Sequence, residues 1–424
     1  MAAIAARAAG ADALLIEKGD KLGRKLGISG GGRCNVTNAK PLPELMQNIP
    51  GNGRFLHSAL SRFSNADIAA FFEGLGIRLK EEDRGRVFPA SDSAATVVAA
   101  LVGEVRRLGV AVWTKTSVAR LTFAAGRVAG VCLQSGEMAA AKAVVVASGG
   151  CSAPQTGSTG DGYPWARAAG HTIVEPYPTE VPLTSDEWFI RERTLQGLSL
   201  AGIDLAIYDS RGKRLTLQNG DLVFTHLGLS GPAALRSSHY VSTALRRDPE
   251  ARLTAAVDCT PDQTRAGIAA ALAQARRAEP RRHLANFLSQ RLPERLARVL
   301  PTLAGADGAE PLAHLRNDAA ERIAATIKAF PVRLAGTLPL AKATVTGGGV
   351  SVKEIDPRTM ASRLCAGLYF AGEVMDVHAH TGGYNITVAF STGRLAGASA
   401  AQCALGAARF GTMLAMSGPS APLP

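Results

Sequence analysis

The sequence predicts an α/β protein in which a Rossmann-type nucleotide-binding domain is interrupted by two inserted segments. Three observations predict this fold. Short apolar runs that end in glycines occur near both ends of the 424-residue chain, a β-rich stretch begins near residue 181, and an Arg/Ala/Leu-rich helical stretch occupies 261–330. Glycine accounts for 45 residues and aromatic residues for 5%, a balance that suits an α/β fold with many tight turns.

The first elements follow the order helix, turn, strand, acid. Residues 1–10 form an Ala-rich helical pattern that ends at Gly10, and residues 13–16 are a short buried strand followed by Glu17. In a Rossmann unit an acidic residue at this position binds a ribose; an ordinary exposed acid is the alternative. The strand and GxGxxG loop expected before the helix are absent, and Met1 already falls inside it. We expect a misassigned start codon rather than a truncated protein.

The stretch Gly19–Asn38 lacks hydrophobic periodicity and is predicted to be a loop rich in glycine and basic residues. Within it, the consecutive glycines of GISGGGRCN (Gly27–Asn35) let backbone N–H groups approach a ligand and form an anion-binding nest. Arg24, Lys25 and Arg33 add charge that suits a diphosphate. A flexible loop is the alternative, but flexible loops rarely combine three glycines with Arg-Cys-Asn.

The middle of the first half alternates between helical and strand patterns. Helices are predicted at 66–76 and 94–108, and strands at 110–113, 118–123 and 128–133. The apolar run Lys142–Gly150 is typical of a strand in a buried parallel sheet. Ligands of such sheets bind at the carboxyl ends of the strands, which makes Ser148, Gly149 and Gly150 candidates. A tight turn would explain the two glycines equally well.

Two C-terminal motifs also place glycines and polar residues where a ligand of such a sheet would bind. GLYFAGE (Gly367–Glu373) is a buried strand, a glycine that permits close approach, and an acid able to hold a polyol. HTGGYN (His380–Asn385) precedes a helical run whose first N–H groups and dipole are suited to negative charge; a plain N-cap turn is the alternative. Each of the four motifs is weak evidence alone, and it is their occurrence in this order along the chain that predicts a nucleotide-binding site.

The predicted organisation has six parts. They are the nucleotide-binding domain at 1–180 and 346–405, a β-barrel insert at 181–260 and 331–345, a helical subdomain at 261–330, and a flexible tail at 406–424. In the helical subdomain Pro293 is predicted to begin a second helix. Leucines there recur at near-helical spacing, at 284, 288, 292, 296 and 300.

Five segments together resemble the YhiN/BaiN family of flavoproteins, over nearly the whole chain and in the correct order. They are EKGDKLGRKLGISGGGRCNVTN, SGGCSAPQTGSTGDGY, THLGLSGPAAL, VTGGGVSVKEIDPRTM and GLYFAGEVMDVHAHTGGYN. The resemblance implies a Rossmann-type FAD-binding domain with an inserted β-barrel and a helical subdomain. It also implies an FAD-dependent oxidoreductase that uses NAD(P)H as its reductant. The stretch NITVAFSTG departs from the more aromatic version expected after GGY, which leaves the shape of the substrate face open.

The resemblance also implies the cofactor contacts. Glu17 is expected on the adenosine ribose, Val118 near the adenine, Glu373 facing the ribityl chain and Gly383–Ile386 at the flavin pyrimidine edge. The full set of expected cofactor-binding residues is Glu17, Lys18, Arg24, Lys25, Ser29, Gly30, Gly31, Gly32, Arg33, Cys34, Asn35, Val118, Ser148, Gly149, Gly150, Glu373, Asp376, Gly382, Gly383, Tyr384, Asn385 and Ile386.

Two substrate classes follow from the resemblance: a uridine of large-subunit ribosomal RNA, reduced to dihydrouridine, or an unsaturated steroid of bile-acid metabolism. The formal charge of +12 favours RNA, although arginine enrichment in a high-GC coding sequence would also produce it. The helical insert offers arginines at 276, 277, 281, 282, 291, 295 and 298. A solvated amphipathic helix is the alternative for these arginines. A flavin-free RNA-binding protein, left by loss of the N-terminus, is a third possibility for the chain.

The proton donor for such a reduction is predicted among few residues. Cys34 lies in the loop expected near the flavin, and a thiol can protonate a carbon. His378, His380 and Tyr384 are its rivals, and a structural role for Cys34 is the alternative. The six cysteines include no CxxC pair, which argues against a zinc site or a disulfide framework. No apolar run reaches about 18 residues and no export signal is evident, so we expect a cytoplasmic protein.

Overall fold

The structure is a computed structural model that describes residues 1–406. The tail predicted from residue 406 therefore lies, apart from its first residue, outside the described residues. Among residues 1–406, none of the helices combines the length and the apolar composition that a membrane span requires.

The first part of the chain carries seven helices and ten strands. They are α1 (Ala2–Ala8), β1 (Leu14–Ile16), α2 (Arg24–Ile28), β2 (Thr37–Asn38), α3 (Leu42–Gln47), α4 (His57–Arg62), α5 (Asn65–Gly74), β3 (Leu79–Glu82), β4 (Arg86–Pro89), α6 (Ala94–Arg107), β5 (Ala111–Trp113), β6 (Val118–Ala124), β7 (Arg127–Leu133), β8 (Met138–Ala140), β9 (Val144–Val146), α7 (Gly162–Ala168) and β10 (Ile173–Thr179).

The central part carries the following elements: β11 (Leu183–Thr184), α8 (Trp188–Arg191), β12 (Ser199–Tyr208), β13 (Arg214–Phe224), β14 (Gly228–Ser230), α9 (Pro232–Arg247), β15 (Leu253–Asp258), α10 (Arg265–Ala278), α11 (Leu284–Leu288), α12 (Glu294–Leu303), α13 (Asn317–Lys328), β16 (Phe330–Leu334) and β17 (Gly336–Thr337). The last elements are β18 (Val345–Val350), β19 (Leu368–Phe370) and α14 (Tyr384–Leu405).

The Rossmann-type arrangement rests on parallel strand pairs, and one of these pairs joins the first part of the chain to the last. β1 pairs in parallel with β5, and β9 pairs in parallel with β19. α14 packs on α1, so the last helix lies against the first. The β9 strand is shorter than predicted. It is also less buried, since it has a single partner strand, and Val144 and Val145 are only half-buried.

The prediction of an unbroken loop from Gly19 to Asn38 is wrong in part. The segment contains the short helix α2, followed by a 3-10 turn at Ser29–Gly32 and by β2. A helix of one and a half turns is too short to show an amphipathic repeat. α2 is held by packing on α6, where Gly23 lies against Val98.

The inserted sheet has seven antiparallel strands in the order β16-β15-β12-β13-β14-β11-β17. Its two outermost strands are consecutive in the chain, separated only by Ala335. The Ala335 N–H also donates to the Thr184 carbonyl oxygen at 2.9 Å. One continuous stretch, 330–337, therefore pairs first with β15 and then with β11, and this closes the sheet into a barrel.

The helical subdomain α10–α13 packs against the barrel around one hydrophobic core. The predicted leucine stripe forms part of this core: Leu284, Leu288, Leu292, Leu296 and Leu300 are each 5% exposed or less. Pro293 is the N-cap residue of α12, as predicted. The stripe thus docks the subdomain on the barrel.

Candidate active site

A cavity of about 1650 Å³ collects segments that lie far apart in the sequence. One wall is the α2 helix and the turn after it, from Lys25 to Asn35. A second wall is the loop before α14 and the first turn of that helix, from His380 to Ile386. The third wall comes from the barrel, at β13 and α9. Residues from both parts of the nucleotide-binding domain and from the insert therefore face one space.

The start of α14 requires glycine where it meets the α2 side of the cavity. Gly383 has φ 95°, and a Cβ there would overlap the Thr37 carbonyl oxygen. The same Cβ would lie 2.8 Å from the amide oxygen of Asn35. That oxygen is buried and has no hydrogen-bond partner in residues 1–406. A buried, unpaired acceptor beside a glycine fits a ligand that brings its own N–H group.

The Glu373 carboxylate on the cavity wall is the centre of a polar cluster. Lys25 Nζ contacts Glu373 Oε2 at 2.5 Å, and Glu373 Oε1 accepts from the Thr346 N–H at 2.7 Å and from the Ser152 hydroxyl at 2.9 Å. Ser152 is fully buried. The residues predicted to hold the diphosphate and the ribityl chain, Lys25 and Glu373, are therefore bound to each other as well as facing the cavity.

His380 is a cavity residue whose ring orientation is fixed by a buried carboxylate. Its Nδ1 lies 2.9 Å from Glu180 Oε1, and Glu180 Oε2 accepts from the Thr381 N–H at 2.8 Å. His380 is 3% exposed and Glu180 is 1% exposed. A carboxylate at this distance places the proton of the neutral ring on Nδ1, which leaves Nε2 free. Within the described chain Nε2 has no hydrogen-bond partner.

The backbone of Glu180 adopts an unfavourable conformation. Its φ is 51°, in the left-handed region, which is destabilising by about 1 kcal/mol for a residue with a side chain. Strain of this kind is concentrated at functional sites. The carboxylate is thus held at His380 by the fold rather than by local preference.

Two further polar side chains line the same cavity. Burial raises the pKa of the Tyr384 hydroxyl, although the positive charge of Arg236 opposes the shift. Tyr384 therefore stays protonated at neutral pH and is able to donate a hydrogen bond to a ligand. Burial lowers the pKa of Arg236, and the charge of Arg84 lowers it further.

His378 does not line the cavity. Its Nε2 lies 2.8 Å from His239 Nδ1, and the Tyr177 ring packs on both imidazoles. Burial lowers the pKa of His378 to about 3 and that of His239 to about 4. This histidine pair is neutral at physiological pH and serves as packing behind His380.

The predicted site residues divide into two groups. Those on the cavity wall are Lys25, Ser29, Gly30, Gly31, Arg33, Asn35, Gly149, Glu373, His380, Gly382, Gly383, Tyr384, Asn385 and Ile386. Those off it are Glu17, Lys18, Arg24, Gly32, Cys34, Val118, Ser148, Gly150 and Asp376. Glu17 binds the Gly19 N–H at 2.7 Å, whereas the Ser148 hydroxyl is buried without a partner in the described part of the chain.

Cys34 is not brought to the cavity. It is fully buried in a hydrophobic cluster with Val36, Phe63, Ile68 and Phe72. Burial raises the pKa of its thiol to about 11. A thiol in this environment is a packing group, which is the structural alternative to the proton-donor prediction.

The sequence reasoning did not single out Glu180, Arg84 or Arg236. Arg236 directly follows the segment THLGLSGPAAL, which contributed to the family resemblance, and that proximity was the only signal available. Glu180 and Arg84 carry no local motif. Their left-handed backbone conformations are visible only in the fold.

Comparison with known proteins places these features in a family. The family model described as the HI0933-like protein Rossmann domain matches residues 1–399. A ribosomal RNA dihydrouridine synthase of Escherichia coli K12 is 33% identical over 384 residues, which cover 91% of this chain and 90% of that protein. A protein of the same name from Haemophilus influenzae is 30% identical over 402 residues, covering 94% and 93% of the two chains.

A third relative has a different name. A 3-dehydro-bile acid delta(4,6)-reductase of Clostridium scindens is 29% identical over 408 residues, which cover 95% of this chain and 96% of that protein. The similarity therefore extends over nearly the full length of proteins that act on two substrate classes.

Proposed function

The chain belongs to the HI0933-like Rossmann-domain family of FAD-dependent oxidoreductases, and we propose that it reduces a uridine of large-subunit ribosomal RNA to dihydrouridine with NAD(P)H as reductant. The observation that carries the proposal is the oriented histidine, His380, on the wall of a cavity that also contains the glycine-rich cofactor segments. The names of the two relatives at 30% identity or more and the +12 charge support RNA as the substrate.

The cavity residues fit a bound flavin. The buried Asn35 amide oxygen has no partner among residues 1–406, Gly31 has open space where a Cβ would point, and the N-terminus of α14 faces the same volume. Gly30, Gly31, Asn35 and Gly383–Ile386 would hold the cofactor. When bound, FAD supplies the hydride that reduction of a C=C bond requires.

This chain's own residues supply the proton. Reduction of the uracil double bond adds a hydride to one carbon and a proton to its neighbour. His380 is positioned to donate that proton from Nε2, and Glu180 holds the ring in place through Nδ1. Tyr384 is the second donor on this wall, and it is suited to binding a uracil carbonyl oxygen.

Two measurements test the proposal. The purified protein is expected to show a flavin absorption spectrum; a colourless protein would favour the flavin-free RNA-binding alternative. In the source organism, deletion of the gene is expected to remove a dihydrouridine from large-subunit ribosomal RNA, detected by mass spectrometry of nuclease digests. Complementation is expected from the wild-type gene and from His226→Gln, an exposed barrel position, but not from His380→Gln.

An unchanged dihydrouridine content in the deletion strain would reject RNA as the substrate. The bile-acid alternative predicts a different result in vitro. It requires that the flavoprotein turn over with a 3-dehydro-bile acid and NAD(P)H, and that RNA neither be reduced nor inhibit that turnover.

A further inference from the structure

Two arginines from distant parts of the chain meet on the cavity wall. Arg84 lies in the turn Asp83–Gly85 between β3 and β4, and Arg236 lies in the second turn of α9. A Cβ placed on Gly220 would lie 2.9 Å from Arg236 Nη2 and 3.1 Å from Arg84 Nη1. Both guanidinium groups therefore converge above one residue that has no side chain.

The fold holds both arginines in place without neutralising them. Arg236 Nε donates to the Gln218 amide oxygen at 3.1 Å, and Nη2 donates to the Asn219 carbonyl. These acceptors are neutral. The Arg84 turn is tied to the α14 loop because Asn38 Nδ2 donates both to the Arg84 carbonyl, at 3.1 Å, and to the Gly382 carbonyl, at 2.9 Å.

The nearby acids form their hydrogen bonds and ion pairs with other groups, and Glu180 is bound to His380. Asp83 pairs with Arg86, and Asp221 Oδ1 accepts from the Gly202 N–H at 3.0 Å. Neither Arg84 nor Arg236 forms an ion pair with any residue of 1–406, and the Arg84 guanidinium has no hydrogen-bond partner there. The charges of Glu180 and Asp221 act favourably on Arg236 without forming an ion pair with it. The two adjacent guanidinium groups still repel one another, and this repulsion is relieved when an anion binds between them.

The chemistry of guanidinium selects the anion. Two planar forks that point at one space match the oxygens of a phosphate, which accepts several charge-assisted hydrogen bonds at once. Both arginines line the same cavity as His380 and Tyr384, and the charge of Arg236 acts on the Tyr384 hydroxyl. Because these residues share one cavity, we expect a nucleotide with its base at His380 to bring a phosphate to the two arginines.

We propose that Arg84 and Arg236 form a subsite that binds a backbone phosphate of the RNA strand next to the reacting base. This inference rests on the proposed function. An enzyme that acts on a base must hold it out of its stack, and a fixed phosphate contact keeps the extruded nucleotide in register. The same phosphate chemistry also occurs in the dinucleotide reductant and in FAD, so the test must separate these sources.

The test measures RNA binding directly. The probe is a fluorescein-labelled single-stranded RNA of about 12 nucleotides that contains uridine, titrated with the flavin-loaded protein at several salt concentrations and followed by anisotropy. Arg84→Gln and Arg236→Gln are each expected to weaken binding about tenfold. Each is also expected to reduce the slope of log K against log[salt] by about 0.7. Arg211→Gln, on the exposed turn between β12 and β13, is the matched control and is expected to bind like wild type.

Two further readouts identify the phosphate. If it belongs to RNA, both variants keep the wild-type flavin content and the wild-type rate of flavin reduction by NAD(P)H in rapid mixing. Loss of flavin, or slower reduction with RNA binding intact, would overturn the proposal in favour of a cofactor phosphate. Wild-type RNA affinity and salt slope in both variants would also overturn it.

The subsite and the proposed function can fail separately. Weakened RNA binding in the variants together with no uridine reduction by wild type would support the subsite and reject the reaction. Uridine reduction by wild type with an unchanged KM for RNA in both variants would support the reaction and reject the subsite.

Discussion

The Nδ1 atom of His380 lies 2.9 Å from the Oε1 atom of Glu180, a residue 200 positions earlier in the chain. The pair joins the segment before the barrel to the loop before α14. The carboxylate fixes the ring orientation and leaves Nε2 free on the cavity wall, where the proposed function uses it as the proton donor.

Replacing His380 with Gln is expected to lower kcat for uridine reduction by about 10²–10³-fold, because Gln retains hydrogen bonding but cannot donate a proton to carbon. Flavin content and the KM for RNA are expected to change little. Glu180→Gln is expected to give a smaller loss, since the ring keeps a neutral acceptor. Wild-type kcat in His380→Gln, measured beside the control His226→Gln, would remove His380 from the mechanism.

Replacing Cys34 with Ala is expected to leave kcat at the wild-type value. The thiol is buried among apolar side chains, and its raised pKa, about 11, keeps it unreactive at neutral pH. The cost is expected in stability instead, as about 1 kcal/mol in the free energy of unfolding measured by urea denaturation. A large fall in kcat in a stably folded Cys34→Ala protein would restore the thiol as proton donor.

The sequence predicted local elements better than the orientation of side chains. α6 was predicted at 94–108 and is observed at Ala94–Arg107. α5 was predicted at 66–76, and it begins where Ser64 and Asp67 form a capping box. These signals are local. Cys34 was placed in the correct loop, but its φ of 60° belongs to a conformation that the sequence does not specify, and the side chain lies in the hydrophobic cluster.

The contacts between distant segments could not be predicted. The approach of Glu180 to His380 and that of Arg84 to Arg236 depend on how the barrel packs on the nucleotide-binding domain. Neither Glu180 nor Arg84 belongs to a motif, so the sequence gives no reason to select them. The glycine-rich segments were identifiable because a run of glycines is itself an unusual local pattern.

The stability of the protein is expected to fall as pH drops below about 6.5. The pKa values of His378 and His239 are lowered by burial to about 3 and about 4, whereas the unfolded chain takes up these protons near 6.5. Between those limits the unfolded state binds more protons, so acidification favours it, by about 1.4 kcal/mol per pH unit for each histidine. The slope is largest between these limits, well below pH 6.5 and above about pH 4, where the unfolded histidines are charged and most of the folded rings are still neutral.

Urea denaturation at pH 7 and pH 5 measures this slope. His239→Gln is expected to flatten it, because Gln does not titrate and can still donate to His378 Nε2. His57→Gln, at an exposed position, is the control and is expected to keep the wild-type slope. An equal slope in wild type and His239→Gln would show that the buried pair does not control acid stability.

Replacing Gly383 with Ala is expected to reduce both stability and flavin binding. The new Cβ would overlap the Thr37 carbonyl oxygen, and φ 95° is unfavourable for any side chain, so we expect a loss of more than about 1 kcal/mol. Gly103→Ala is the matched control. Gly103 lies inside α6 with open space around the new methyl group, and there Ala should stabilise by about 0.5–1 kcal/mol. Comparable unfolding free energies in the two variants would contradict the prediction that position 383 requires glycine.

The continuous stretch 330–337 has a consequence for the solubility of the insert. A sheet with open outer strands exposes unpaired N–H and C=O groups that can recruit strands from other molecules. Here the same stretch completes the pairing of both β15 and β11, with Ala335 bonded to Thr184 at the corner. Intermolecular strand addition would have to break bonds that the barrel has already made. The insert can therefore carry long, apolar strands such as β12 without becoming a template for aggregation.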